Sequence, residues 1–512
     1  MPDPRALPPS QTNRRRIALI ATAAALALAA AAVITAPAAR AQSNIIDDGD
    51  VPALIAAIED ANVDPDADTI TLAPNGTYVL DSAYPTTDAG LPVISTTITI
   101  EGNSATIRRD PKAPAFRILT VAGTGDAAGD LTLNDVTVRG GAVSAGGGGL
   151  YNDGGVVSIV DTTVSGNTAS AEGYEDSFGG GLFNQDGTVT MLRCDVLANA
   201  TSQTVGSGGG GLANIGGELT LTESTVSGNR SGSGGGLAST GPVTIARSII
   251  SDNEARGGDY GAGGIVNLDV LTITNTTVSG NEATVGGGIV NVGRMYVAHT
   301  TIVNNAATNS TYGGGGVVNA PFDPRESKVI TFSHTLLAGN SADQSGSELW
   351  NNATVNADDH NLFGHSGVTT AGAVSTTTPI TTAGSTTILA TADGASPTPL
   401  NQILDPTLRD NGGRSRTHAL VEGSPAVDAG APAFSPPPAY DQRGPGFPRV
   451  EKTSIDIGAY EVAEKEPPQP VGGVTVRQEG LALLRPWLDV AVLAAALTTT
   501  GALLLRLRKE GN

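Results

Sequence analysis

Asp358-Asp359-His360 is the densest cluster of chemically capable side chains in the sequence, two carboxylates beside an imidazole. Such groups supply the acid, the base and the ligand atoms of hydrolytic and metal-assisted chemistry. A glycoside hydrolase needs carboxylates poised across the scissile bond, and a polysaccharide lyase needs a base with carboxylates or calcium to neutralise a uronate. Arg325-Glu326-Ser327-Lys328 offers a base, but it follows Pro321 and Pro324 and has the mixed charge of a solvated insertion loop. Asp428, Asp441, Arg443, Asp456 and Glu461 form another polar set. Calcium would need six or more oxygens converging there, whereas Asp–Arg pairs and turn caps account for the same residues as internal structure. His299, His334, His365 and His418 have no metal-ligand spacing. Cys194 stands alone in a strand position, with no disulfide partner, and reads as a small buried side chain. The glycine runs 208–211 and 313–316 lack the Lys-Ser/Thr continuation of a phosphate cradle. With aromatics at 4% and two tryptophans, no stacking platform for sugars is expected. The expectation is no catalytic residue and no cofactor site, with no metal ligand set assigned and calcium the one cation entertained.

The elements that would have to position such groups repeat. Eight triplets run from Leu150-Tyr151-Asn152 to Leu349-Trp350-Asn351, 24 to 32 residues apart, most of them after a glycine run. Each is followed by an alternating run such as 157–159, 219–221, 243–245, 271–273 or 330–332, the period-2 signature of a strand with one buried face. A shorter strand follows, ending in Asn167, Asn199, Asn229, Asn253, Asn281, Asn305 or Asn340, mostly within Ser-Gly-Asn, where Gly and Asn suit a sharp corner. A unit this short cannot bury a core by itself and must stack. Two or three short strands per unit, without helical periodicity, predict an all-β, parallel β-helix over 68–400. Equivalent residues of successive coils then lie roughly 4.8 Å apart, and the asparagines form ladders. Outward positions Thr220, Thr222, Thr244, Thr272, Thr274, Thr300 and Thr301 are expected to be solvated.

Asp50 followed by apolar residues at 51, 54, 55 and 58 predicts a helix over 51–62, a lid for the open end of the stack within the capping segment 42–67. Strands are expected at 69–72, 98–100, 105–107 and 131–138. The Thr/Ser/Ala/Gly-rich stretch 369–399 fits irregular late coils or a loop insert. Residues 401–461 are read as an irregular C-terminal cap, and 462–485 as a spacer containing Pro467, Pro468 and Pro470. Arg14-Arg15-Arg16, an apolar stretch over 17–34 and Ala39-Arg40-Ala41 predict an export signal over 1–41, an uncleaved membrane anchor being the alternative. Residues 486–507 are long and apolar enough for a transmembrane helix, and Arg508 and Lys509 in the tail 508–512 place that tail in the cytoplasm. A formal charge of −21 without a basic footprint excludes nucleic acid as a partner.

Residues 404–461 carry Leu404-Asp405-Pro406, Arg409-Asp410-Asn411-Gly412-Gly413, Thr417-His418-Ala419-Leu420, a Gly423-to-Gly430 block, Asp441-Gln442-Arg443-Gly444 and Asp456-Ile457-Gly458-Ala459-Tyr460-Glu461. This order resembles the choice-of-anchor Q domain family, and 53–62, 66–70, 90–94 and 360–364 are similar to the same group. A cysteine that often opens the N-terminal helix motif there is missing here. The coils also resemble polymorphic outer membrane protein repeats. The resemblance implies a secretion signal, a right-handed parallel β-helix and a C-terminal surface anchor, and it assigns no catalytic residue. The expectation is a non-catalytic β-helix, membrane-anchored and facing outward, that serves adhesion, envelope structure or display toward a glycan or protein ligand. A polysaccharide lyase or hydrolase on the same scaffold is the alternative.

Overall fold

The computed structural model describes residues 45–463 apart from 124–127, 171–176, 259–260, 309–312, 321–328, 344, 358–359, 377–379, 383–386, 390–396, 432–437 and 451–453. The export signal, most of the spacer, the transmembrane segment 486–507, Asp358, Asp359 and residues 325–328 lie outside the described residues. No helix among the described residues is long and apolar enough to cross a membrane. The described residues belong to the first of two units, Met1–Ala463, the second being Glu464–Asn512.

Each regular coil carries four short strands rather than two or three, for example Leu182–Gln185, Thr188–Leu192, Asp195–Leu197 and Ala200–Thr201. The fourth is the two-residue strand after Ser-Gly-Asn, too short to leave a periodic signature. All pairing between coils is parallel, and the triplets stack in register: Leu150, Leu182, Leu212, Leu237, Ile265, Ile289, Val317 and Leu349 face one another in succession. These rows fill one continuous core from Ile46 to Phe363. The chain is thus a parallel β-helix. Pairing begins before residue 68, because Ile45–Ile46 pairs with Thr71 and Leu72. Helix α1, Val51–Ala61, follows, capped by the Asp50 carboxylate accepting from Ala53 N at 3.0 Å. It sinks Leu54 and Ile58 into the core, as a lid should. Late coils continue irregularly through Val374–Thr376 and Ile388–Leu389.

Between the second and third strand of each coil the chain bends at a residue with positive φ: Asp161, Arg193, Glu223, Arg247, Asn275, His299 and His334 lie between 45° and 54°. This conformation costs a non-glycine residue roughly 1–2 kcal/mol, and stacking sustains it because each bend's backbone stays paired with the next coil, Arg193 N donating to Thr222 O at 3.0 Å. Cys194 follows this bend and is not in a strand. It sits in a buried stack with Thr162, Ser224, Ser248 and Thr276, in which Val136 N donates to Thr162 Oγ1, Cys194 N to Ser224 Oγ, Ser224 N to Ser248 Oγ and Ser248 N to Thr276 Oγ1. Burial pushes its thiol up to about 12, so it is inert.

The asparagines do form ladders. In one, Asn167, Asn199, Asn229, Asn253, Asn281, Asn305 and Asn340 are linked by Nδ2 of each donating to Oδ1 of the next at 2.8–3.1 Å. The triplet asparagines make a second: Asn152 to Asn184 to Asn214, then, after an interruption at Ser239, Asn267 to Asn291 to Asn319 to Asn351.

The described residues within 401–461 are not an end cap. They run along the flank of the coils, covering the bend column and the third strands. Arg414 donates to Arg193 O and Asp195, Asn275 Nδ2 to Tyr440 O, and Thr277 Oγ1 to Gln442 Oε1. Ala459 N donates to Thr301 Oγ1, Ala431 N to His334 Nε2, and Asn304 Nδ2 to Pro406 O. Beneath this strap Val303, Leu336, Ala338 and Leu362 meet Ile403, Leu404, Leu420 and Ile457 in a separate apolar cluster. Two of the expected outward threonines are consequently buried: Thr301 lies under the strap, and Thr300 turns into the hydroxyl stack, its Oγ1 donating to Ala298 O. Thr244 is exposed, and Thr220, Thr222, Thr272 and Thr274 are half-buried.

Candidate ligand groove and the fate of the charged clusters

The middle residue of each triplet points away from the core, because side chains alternate across a strand. In eight successive coils that column reads Tyr151, Phe183, Ala213, Ala238, Val266, Val290, Val318 and Trp350, an apolar stripe on the outside of the sheet. Ala262, Val285 and Val292 pack beside Val266 and Val290 on this outer face. Over Ala238 and Val266 the stripe forms the floor of a groove of about 270 Å³, walled by Phe178 and rimmed by Val205 and Leu268, which are 76% and 42% exposed. Glycines keep one rim low: a Cβ on Gly232 would stand 1.9 Å from Thr204 O.

At the early end of the stripe the aromatic rings gather. Tyr151 and Phe183 stack at 5.3 Å between centroids, and Phe178 lies 5.8 Å from Phe183. The Arg117 guanidinium sits 4.7 Å above the Tyr151 ring while pairing with Asp88 at 2.6 Å. Tyr151 donates its hydroxyl hydrogen to Gln185 Oε1 at 3.0 Å, and burial pushes that hydroxyl up to about 12. Aromatic content was therefore a poor guide: three rings spread over 33 residues of chain converge because two are triplet middles in adjacent coils. The alternation x in Leu-x-Asn carried the signal. The groove's other lining residues are Ile215, Ser233, Ser239, Thr240 and glycines, so it offers hydroxyl and apolar contacts to a ligand with an apolar face.

Of the polar sets read from the sequence, Asp441, Arg443, Asp456 and Glu461 do come together, inside the strap. Arg443 makes a two-pronged contact with Asp441, its Nη2 at 2.7 Å from Oδ2, and also donates to Glu461 O. Its guanidinium lies between the rings of Phe447 and Tyr460, 4.0 and 3.9 Å from their centroids. Arg449, fully buried, reaches Glu461 Oε2 at 3.2 Å and Asn275 Oδ1 at 3.1 Å. Backbone N–H groups of Glu461, Asp456, Asp428 and Val462 occupy further carboxylate oxygens. These are internal pairs and turn caps, with the oxygens turned to guanidinium and amide. Burial, reinforced by Asp456, pushes the Glu461 carboxyl up to about 8, and burial raises Asp456 and lowers Arg449 from their ordinary values.

The histidines, scattered in sequence, are gathered by the bend column. His299 and His334 stack at 4.8 Å, and His334 and His360 at 5.1 Å. Rings stacked face to face send their nitrogens outward from the stack, and His334 is hydrogen-bonded through both, to Ser333 Oγ and Ala431 N. His418 bridges Ser279 Oγ and Asp405 O. Burial holds His299 well below its usual value and lowers His418. Among the described residues no three His, Cys, Asp or Glu side chains converge as metal ligands. The glycine runs lie at coil corners, where Gly209, in the left-handed region at φ 68°, has Leu212 O only 2.1 Å from where a Cβ would be.

No family model matches the sequence, and no curated protein matches it. Among solved structures the chain is similar to one titled "Crystal structure of pectate lyase Pel9A", with a TM-score of 0.43 and 14% sequence identity over 79% of this chain and 90% of that chain.

Proposed function

We propose that this chain is an exported, envelope-displayed β-helix that binds an extended ligand, a glycan or protein strand, along the outer face of the triplet sheet and performs no chemistry on it. Residues 1–41 direct export, and 486–507 hold the protein in the membrane with the solenoid outside. The order of motifs through 404–461 supports placement among choice-of-anchor Q proteins. The observation that carries the binding role is the groove over Ala238 and Val266, with Val205 and Leu268 exposed on its rims. Large apolar side chains held in the open beside a concave apolar floor mark interaction surfaces. A lyase or hydrolase is the competing reading, and one experiment separates the two. The purified full chain is applied to arrays of neutral and uronic-acid glycans and extended peptides, and the same ligands are assayed for cleavage products. Retention that Ala238→Trp weakens by at least about tenfold, by filling the groove, supports the proposal. Turnover that survives purification, or retention indifferent to Ala238→Trp, overturns it.

A further inference from the structure

The first asparagine ladder has a chemical direction: every rung donates toward the C-terminal coils, so its last member must find an acceptor that is not another asparagine. Asn340 finds it in Glu348, whose Oε2 accepts from Asn340 N at 3.2 Å and Nδ2 at 2.6 Å. In the seven preceding coils the residue before the triplet is glycine, with no room for a side chain because the ladder asparagine stands there. A Cβ on Gly211 would lie 3.0 Å from the amide of Asn229, and one on Gly316 2.9 Å from Asn340. Glu348 breaks that column where the ladder ends, and its carboxylate stands in for the missing rung.

Its other oxygen is uncommitted. Oε1 is buried without a hydrogen-bond partner, and His365 Nδ1 stands 3.5 Å from it. Gly339 N donates to that same Nδ1 at 3.3 Å. With Nδ1 accepting, the hydrogen of the ring lies on Nε2. That edge of the ring remains uncommitted to Glu348 or Gly339, and His365 lines an open cleft of about 550 Å³. Ser347 Oγ, lining the same cleft, is likewise buried without a partner. Leu400, Val368 and Ala342 supply an apolar wall.

We infer that this cleft is a binding site for a neutral saccharide unit, with His365 Nε2 and Ser347 Oγ addressing its hydroxyls and Leu400 and Val368 taking its apolar ring face. Three features converge. The cleft is of ligand size, its lining residues include no Lys, Arg, Asp or Glu, and it joins the Nε2 donor and a buried unpaired hydroxyl to an apolar wall. The site is separate from the triplet-sheet groove and stands or falls independently of it. The test is saturation-transfer NMR on the full chain with D-galactose and N-acetylglucosamine as neutral probes, galacturonate as the anionic probe and glucosamine as the cationic one. Neutral sugars are expected to bind in the millimolar range. Ser347→Ala and His365→Leu should weaken them by about three- to tenfold each, as loss of one hydrogen bond does, with His365→Gln, which keeps a donor, weaker in effect. Thr244→Ala, at an exposed position in neither cleft, should leave this signal unchanged, and circular dichroism confirms that each variant keeps its β signal. Absence of transfer to either neutral sugar, preference for a charged probe, insensitivity to Ser347→Ala and His365→Leu, or an equal loss in Thr244→Ala each overturns the assignment.

Discussion

Replacing Asn253 by Asp should destabilise the protein more than the near-identity of the two shapes suggests. The Asn253 side chain is fully buried. Its Nδ2 donates to Val226 O and Asn281 Oδ1, both at 2.9 Å, and its Oδ1 accepts from Asn229 N at 3.0 Å and Nδ2 at 2.9 Å. Aspartate keeps the accepting half and sets an oxygen against two other oxygens. Two donated bonds vanish, and each buried partner left unsatisfied costs about 1–3 kcal/mol. An uncompensated carboxylate adds desolvation. A loss of about 3–6 kcal/mol is expected at neutral pH, against about 3–5 for Asn253→Ala, which also opens a small cavity. The aspartate penalty should shrink in acid, because a protonated carboxyl recovers one donor, whereas the alanine penalty should not. Urea titrations at pH 7 and pH 4, read for midpoint and slope, measure this, with exposed Thr244→Ala as the reference. A pH 7 stability for Asn253→Asp within 1 kcal/mol of the parent, or equal pH trends for the two variants, would refute the reasoning that the ladder's donor direction matters.

The interruption of the second ladder invites repair: Ser239→Asn should let Asn214 and Asn267 join through it, since Asn214 Nδ2 already reaches Ser239 Oγ at 3.0 Å, and raise stability by about 1 kcal/mol in the same urea assay. For Glu461, held near 8 inside the strap, the unfolded chain gives up the proton near its ordinary value of about 4.3 while the folded chain keeps it. Its contribution to stability therefore falls as pH rises between those values, by as much as about 5 kcal/mol. Glu461→Gln should flatten the melting temperature between pH 5 and 8, and an unchanged slope counts against the buried-proton account. His299 runs the other way. Its value is depressed by burial, so protons bind the unfolded chain first and stability is lost as pH falls below about 6.5. His299→Asn, a residue that tolerates the positive φ of that bend, should reduce this acid lability in calorimetry, and equal lability in both proteins would contradict it.

The coil stack was legible because its signals are local and repeated: apolar alternation, glycine before seven of the eight triplets, asparagine at the corners. Helix α1 was legible through its Asp50 cap. The strap was not, because residues 401–461 carry no period, and their partners Arg193, Thr277, Thr301 and His334 lie in the coils, 97 to 221 residues away in sequence. Thr301 illustrates the limit: its strand pattern says outward, which it is, yet outward there means under the strap. The histidines were judged dispersed by their spacing, but coil length is itself the spacing that stacks them. His299 and His334 occupy equivalent bends one coil apart and stack there.

Column logic also locates what linear motifs miss. Eight triplets share one preceding position, and seven carry glycine there because an asparagine amide fills the space a side chain would take. A charged residue in the eighth is permitted only if that space has been vacated, which means the asparagine row must stop at Asn340. The last asparagine then keeps two donors with nothing asparagine-like to receive them, and Glu348 is the nearest side chain that can. Both facts are present in the sequence once the coils are aligned on their triplets. His365 is what alignment cannot supply: its Nδ1 reaches the carboxylate from the following coil, in a turn that has lost the Ser-Gly-Asn spacing. A departure from a repeat is therefore better evidence of a site than a cluster of reactive residues within it, since the repeat defines what structure alone requires at each position.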